Sequence, residues 1–311
     1  MNQRSPINFS DRLAAAVQRC GNPVVVGLDP RKDRLPQGLL PTAWGDEVDA
    51  IAQAYRSFCY GIIDVVAPLV PAVKPQAAFF EQLGPAGMKV LRQVVRYAQQ
   101  NGLMVILDAK RNDIGSTAEA YADAWIGPEK SAWRGDALTV SPYLGEDSLT
   151  PFCQTVNERG AGIFVLVKTS NPGGGMLQDL VADGKPVYMH VAELVESLSS
   201  ASLGECNFGS VGAVAGATYP EQLSELRAAM PHVWFLVPGY GTQGGTAKDV
   251  AGAFAETGLG ALVNSSRGII FAHSREEYRE KYGDSQWQKA AEMATKDMIE
   301  SLKSETAAGN L

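Results

Sequence analysis

Eight short apolar runs recur along the chain, and this repetition limits the possible folds more than any other feature. The runs begin about 34 residues apart, which is the length of one strand followed by one helix. They are rich in Val, Ile and Leu without polar alternation, as in parallel strands covered on both faces. The predicted strands span residues 23–29, 70–75, 103–110, 137–143, 162–169, 210–218, 233–239 and 261–266.

The segments between these runs have helical patterns. Residues 46–66 and 86–100 place apolar side chains at steps of three and four, which gives each helix one apolar face. A leading helix is predicted over residues 9–20 with Ser10 as its N-cap. A charged last helix is predicted over residues 275–304.

Eight strand–helix units without a linker or a break in composition predict one α/β domain over residues 1–311. The predicted architecture is a single (β/α)8 TIM barrel with an extra N-terminal helix and a core of about residues 20–275. A doubly wound sheet is the alternative. The long connection 170–209 is expected to hold a lid or an extra helix, and residues 304–311 are expected to fray.

Composition and charge exclude several classes of protein. The chain has 311 residues, of which 45% are hydrophobic and 20% charged, and its mean hydropathy of -0.08 is typical of a globular protein. A net charge of -7 argues against binding to nucleic acid. No apolar stretch is long enough to cross a membrane, and the N-terminus lacks the apolar core of a signal peptide. We therefore expect a cytoplasmic protein.

The cysteines and histidines point away from metal and redox chemistry. The four cysteines form no CxxC pair, so unpaired thiols in a reducing compartment are expected. None of the three histidines ends a predicted strand, which argues against a His-rich metal site and a Ser–His–Asp triad.

Polar residues gather where the predicted strands end, which is where the active sites of such barrels lie. The run LDAKRNDIGST (107–117) is the densest. Asp108 and Lys110 are two residues apart on a strand, so their side chains point to the same side. With Asp113 and Lys74 they could form a network of alternating charges. Neighbouring carboxylates would keep Lys110 protonated and make it a general acid, although a purely structural network is the alternative.

A second constellation follows the seventh predicted strand. The run VPGYGTQGGT (237–246) contains a GxGxxG pattern, but a dinucleotide site would place this pattern after the first strand. The loops after strands seven and eight of a barrel often bind phosphate. Gln243 could add a side-chain hydrogen-bond donor. Arg267, after the eighth strand, offers a guanidinium group that can make two hydrogen bonds to a phosphate. We therefore predict a monophosphate site, with plain turn glycines as the alternative.

These motifs together resemble the orotidine 5'-phosphate decarboxylase family, and most closely its longer bacterial branch, type 2. The resemblance extends from about residue 10 to 275, and the run after strand three is its most specific part. It rests on GLDP (27–30), VKPQ (73–76), LDAKRNDIGST (107–117), KTSNPG (168–173), VPGYGTQGG (237–245) and SSRGI (265–269).

The resemblance implies a (β/α)8 homodimer that uses neither a metal nor an organic cofactor. The implied reaction is that of a carboxy-lyase in the last step of de novo UMP synthesis. It converts orotidine 5'-phosphate to uridine 5'-phosphate and carbon dioxide. Neither nucleic acid nor a membrane is expected as a partner.

The resemblance also implies roles for the charged residues. Lys110 corresponds to the proton donor to C6, and Asp108 lies beside the departing carboxylate. Lys74 pairs with Asp108 and the ribose, while Asp29 holds a ribose hydroxyl. Asp113 completes the implied catalytic set.

Further positions correspond to substrate contacts in the family. Asp113, Ile114 and Thr117 are implied to reach into the site of a partner subunit, so that each pocket is shared. Ser170 corresponds to the pyrimidine contact. Pro238, Gln243 and Arg267 complete the substrate-binding set, the last two as phosphate contacts.

Two rival functions share parts of this pattern. A magnesium-dependent sugar-phosphate decarboxylase or aldolase would share D-x-K-x-x-D, but such enzymes place a carboxylate near the end of strand two, where this chain has Lys74. A non-catalytic barrel that binds phosphoribosyl groups would be expected to lack Lys110 or Asp108, and both are present.

Overall fold

The computed structural model describes residues 7–39, 47–241 and 244–311, and eight of its strands form a closed parallel barrel. The strands are β1 (Val24–Leu28), β2 (Ala72–Pro75), β3 (Met104–Arg111), β4 (Ala137–Val140), β5 (Gly162–Lys168), β6 (Val181–Ala182), β7 (Lys185–Pro186), β8 (Val211–Ala215), β9 (Phe235–Val237) and β10 (Ala261–Ser265). The barrel order is β1-β2-β3-β4-β5-β8-β9-β10, and β10 pairs with β1 to close it. The short strands β6 and β7 form a separate antiparallel hairpin.

Twelve α-helices in the described residues surround the barrel, most of them in the connections between strands. They are α1 (Phe9–Cys20), α2 (Glu47–Val66), α3 (Ala77–Glu81), α4 (Gly84–Gln100), α5 (Gly115–Ile126), α6 (Thr150–Arg159), α7 (Gly175–Gln178), α8 (Val187–Ser200), α9 (Pro220–Ala229), α10 (Arg267–Ile270), α11 (Glu276–Arg279) and α12 (Trp287–Glu305). None of the helices in the described residues is both long and apolar enough to cross a membrane.

The predicted fold class is confirmed. Seven barrel strands fall inside their predicted runs, and β3 extends one residue beyond its run, to Arg111. The closed order excludes a doubly wound sheet, which would be open. The leading helix α1 has the predicted bounds, and α2 and α4 begin within two residues of the predicted starts.

The predicted N-cap of α1 is wrong by two residues. Asn8 is the cap, because its Oδ1 accepts a hydrogen bond from the backbone N–H of Ser10 at 2.8 Å. Ser10 is buried within the first turn, and its hydroxyl lies 2.6 Å from the carbonyl oxygen of Phe208. A tertiary contact therefore occupies the side chain that the sequence pattern assigned to capping.

The predicted single helix over residues 275–304 is divided in the structure. The chain turns at Gly283, whose φ of 53° lies in the left-handed region that glycine tolerates best, and α12 begins only at Trp287. The Trp287 ring packs against Phe58 of α2 at a centroid distance of 5.1 Å. The break therefore places Trp287 at the first position of α12.

The last residues are ordered into a short 3₁₀ helix, Ala307–Asn310, so the expected fraying is wrong. Thr306 accepts a hydrogen bond from the backbone of Ala308, whose side chain is fully buried. The long connection after β5 contains an extra helix, as expected. Its two-residue hairpin turn, Asp183-Gly184, has positive φ at both positions.

Helix α1 closes the N-terminal end of the barrel. Phe9 is 1% exposed and meets Phe164 of β5 edge-on, at a centroid distance of 6.2 Å. A Cβ at Gly162 would lie 2.3 Å from the Phe9 ring, so glycine is needed for this close approach. The barrel interior is thus filled with apolar side chains at this end.

We expect Phe9→Ala to lower the free energy of unfolding by about 3–5 kcal/mol, because it leaves a cavity under the barrel. Urea denaturation measures this change. Ile7→Ala is the matched control, since Ile7 is 70% exposed and its loss should cost less than about 0.5 kcal/mol. Equal effects of the two substitutions would contradict the closing role of Phe9.

Candidate active site

A cavity of about 420 Å³ opens at the carboxyl ends of the barrel strands, a volume in the range of small-molecule sites. Its wall is polar on several sides and apolar where Leu166, Val214 and Leu236 face it from β5, β8 and β9. The predicted site residues that line it are Asp29, Lys74, Asp108, Lys110, Ser170, Pro238 and Arg267.

A carboxylate held between two ammonium groups forms the charged centre of the cavity. Asp108 Oδ2 lies 2.6 Å from Lys74 Nζ, and Asp108 Oδ1 lies 2.5 Å from Lys110 Nζ. The side chains of Lys74 and Asp108 are 6% and 9% exposed, whereas that of Lys110 is 48% exposed toward the opening. The buried pair is therefore fixed, and Lys110 is the ammonium group that a ligand can reach.

The charges in this cluster stabilise one another. Burial by itself would raise the pKa of Asp108, but the two nearby ammonium groups outweigh it and hold the pKa below its usual value. Burial opposes protonation of Lys74, yet the charges of Asp108 and Asp29 raise its pKa. Asp108 is consequently an anion and Lys74 a cation at neutral pH.

Two further side chains of this cluster, Gln76 and Thr139, are not predicted from the sequence. Gln76 donates through Nε2 to Asp108 Oδ2 at 3.0 Å, and the Thr139 hydroxyl donates to Asp108 Oδ1 at 3.0 Å. Thr139 is the one polar residue in the apolar run of β4, which is the signal that could have identified it. Gln76 follows Lys74 by two residues and so shares its side of the chain.

Two buried acceptors in the cavity wall lack partners among the described residues. They are Oδ1 of Asp29, after β1, and Oδ1 of Asn264, in β10. Buried polar atoms are normally hydrogen-bonded, so acceptors left free at a cavity favour a ligand with hydroxyl or N–H donors. Asn264 was not singled out from the sequence, although it interrupts an apolar strand.

The loop after β9 forms the side of the cavity next to Arg267. Pro238 and Gly239 line it, and Gly239 and Gly241 have φ values of 102° and 74°, which glycine tolerates. The backbone N–H of Gly241 donates to Gly245, which folds the loop back on itself. The predicted contact Gln243 lies outside the described residues.

The predicted residues Asp113, Ile114 and Thr117 do not line the cavity of their own chain. Asp113 accepts a hydrogen bond from the backbone of Ile114, and the Ile114 side chain is 56% exposed. Thr117 lines a separate surface depression beside Tyr121 and α5. Within one chain, Asp29 rather than Asp113 is therefore the second carboxylate near Lys74.

The part of the cavity wall that follows β5 is held in place by the long connection after this strand. Lys168 is 1% exposed and pairs with Asp179, which lies just after α7. Gln178 of α7 accepts from the Thr169 backbone N–H at 3.1 Å and donates to its hydroxyl at 2.9 Å. This anchoring holds Thr169 and Ser170 at the cavity wall.

Other reactive groups are dispersed. No cluster of three or more His, Cys, Asp or Glu side chains suited to a metal ion occurs in residues 7–39, 47–241 and 244–311. All four cysteines are free thiols, and burial raises the pKa of Cys153 to about 11.

Known proteins with the same sequence pattern carry a common description. The orotidine 5'-phosphate decarboxylase/HUMPS family model matches residues 22–282. The orotidine 5'-phosphate decarboxylase of Rhodopirellula baltica is 58% identical over 300 residues, which cover 96% of this chain and 99% of that protein. The Haloarcula marismortui protein of the same name is 41% identical over 95% of this chain and 99% of its own length.

A solved structure agrees with these sequence matches. The OMP decarboxylase of Leishmania donovani superposes with a TM-score of 0.73 and 34% identity, over 96% of this chain and 98% of its own. The matched region contains all eight barrel strands and the charged cluster. The chain belongs to the orotidine 5'-phosphate decarboxylase/HUMPS family.

Proposed function

We propose that this chain decarboxylates orotidine 5'-phosphate to uridine 5'-phosphate, with Lys110 as the proton donor to C6 and without a metal or organic cofactor. The strongest support is the Lys74–Asp108–Lys110 cluster at the polar end of a closed barrel. It places a half-exposed ammonium group beside a permanently ionised carboxylate. The substrate and the reaction are inferred from the family to which the chain belongs.

The cavity wall fits the three parts of this substrate. Arg267 and the glycine-containing loop after β9, with Gln243, would hold the phosphate. The unpartnered Oδ1 of Asp29 would accept a hydrogen bond from a ribose hydroxyl. The pyrimidine ring would then lie near Ser170, against the apolar side chains of Leu166 and Val214.

The chemistry requires stabilisation of a carbanion. When the bond between C6 and the carboxylate breaks, its electron pair stays on C6 while carbon dioxide leaves. The Lys110 ammonium group would stabilise this charge and then transfer a proton to C6, which completes the product. Asp108 would lie beside the departing carboxylate and orient Lys110.

A single lysine does not supply the whole acceleration. Enzymes lower barriers by about 8–23 kcal/mol, and this reaction lies towards the upper part of that range. Binding of the distant phosphate would have to contribute by orienting the reacting carbon.

The magnesium-dependent rival fits this cavity poorly. Such an enzyme needs carboxylates free to bind a divalent cation near the end of β2. Here Lys74 Nζ lies 2.6 Å from Asp108, so its positive charge would repel a cation at that point.

We further propose that residues 1–311 work as one barrel domain in a cytoplasmic homodimer. The exposed Asp113–Thr117 segment lies outside its own cavity, which is expected if Asp113, Ile114 and Thr117 complete the site of a partner subunit. The free thiols support a reducing compartment.

Lys110→Ala should lower kcat at least about 10³-fold, because it removes both the proton donor and the charge that stabilises C6. Steady-state kinetics on folded protein measure this loss. Lys281→Ala is the matched control, since Lys281 is an exposed lysine outside the cavity lining. Residual activity above a tenth of the unsubstituted level would remove Lys110 as the donor.

Mixing inactive Lys110→Ala and Asp113→Ala chains should restore about a quarter of the activity. Half of randomly mixed dimers are hybrids, and each hybrid would contain one complete site of two. Activity is measured after subunit exchange has been verified with tagged chains. Failure of exchanged hybrids to regain activity would contradict shared sites.

A further inference from the structure

We propose that Thr139 is a positioning residue that sets the geometry of Lys110 and Asp108. Its side chain is buried in the barrel, and the residue is 1% exposed. Thr139 Oγ1 lies 3.1 Å from the backbone nitrogen of Ala109, 3.0 Å from that of Lys110 and 3.0 Å from Asp108 Oδ1. This inference rests on the role proposed above for Lys110.

The three contacts use the full capacity of one hydroxyl group. A threonine hydroxyl donates one proton and accepts two hydrogen bonds. Asp108 is ionised and can only accept, so the Thr139 proton points to its Oδ1. The two remaining lone pairs accept the N–H groups of Ala109 and Lys110. The hydroxyl therefore connects the backbone that carries the proton donor to the carboxylate that orients it.

The backbone at this point needs such an acceptor. Leu107 pairs with Leu138 of β4, but Arg111 pairs with Val140, so β3 carries extra residues between these pairs. In such a bulge the intervening N–H groups lose their regular partners in the sheet. Thr139 supplies a side-chain acceptor in place of the missing carbonyl groups.

The conformation of Lys110 makes this support more important. Its φ of 48° lies in the left-handed region, which a residue with a long side chain adopts only when its surroundings enforce it. Without the hydroxyl, the bulge would lose the group that holds both of its N–H donors. The Lys110 side chain would then begin from a different backbone position.

The charges of the cluster do not depend on Thr139. Asp108 Oδ1 also accepts from Lys110, while its Oδ2 accepts from Lys74 and Gln76. Loss of the hydroxyl therefore leaves the carboxylate ionised and paired. Arg267, the proposed phosphate contact after β10, lies across the closed barrel from β4. We therefore expect the chemical step to slow and substrate binding to be retained.

The test compares Thr139→Val with Thr139→Ser, because valine keeps the shape and serine keeps the hydroxyl. We expect valine to lower kcat about 10–100-fold, with KM and the Kd of the product uridine 5'-phosphate within about threefold. Serine should restore kcat to within about threefold of the unsubstituted protein. Thr295→Val is the matched control, since Thr295 is fully buried in α12 and its substitution should leave kcat unchanged.

Thr139→Ala provides the comparison if the valine variant does not fold. Alanine and serine differ at this position only in the hydroxyl, so a lower kcat for alanine than for serine at equal KM isolates its contribution. An unchanged kcat in Thr139→Val, or equal kcat for alanine and serine, would overturn the proposal. If Lys110→Ala itself remains active, the proposed role of Lys110 as proton donor fails instead.

Discussion

The site depends on one buried carboxylate. Asp108 ends the apolar part of β3 and is bound on both sides by ammonium groups, at 2.6 Å from Lys74 and 2.5 Å from Lys110. A single buried charge would be costly, whereas a paired and hydrogen-bonded one is tolerated. This pairing lets the barrel hold permanent charges at the place where the substrate would react.

The two ends of the barrel have different roles. At the N-terminal end, Phe9 and Phe164 close the interior with aromatic contacts. At the other end, the bulge in β3 carries Lys110 out of the regular ladder and into the cavity. The apolar end provides stability, so the polar end can accommodate a strained residue and unpartnered acceptors.

The strands were predictable because their side chains are almost wholly apolar and are buried on both faces. Asp108, Lys110 and Lys74 were predictable because charges that follow such strands must converge. The cap Asn8 was missed because a tertiary contact occupies Ser10, whereas the break at Gly283 has a local signal in the glycine itself. Thr139 interrupts the apolar run of β4, but its role depends on a bulge in the neighbouring strand, which the sequence pattern does not reveal.

The most direct measurement follows the ultraviolet absorbance of the orotate chromophore after purified protein is mixed with orotidine 5'-phosphate. It is made with and without EDTA. The Lys74–Asp108–Lys110 cluster occupies the place a cation would need, so we predict the same rate of loss in both cases. A loss that EDTA abolishes and added magnesium restores would contradict a cofactor-free decarboxylation by this cluster.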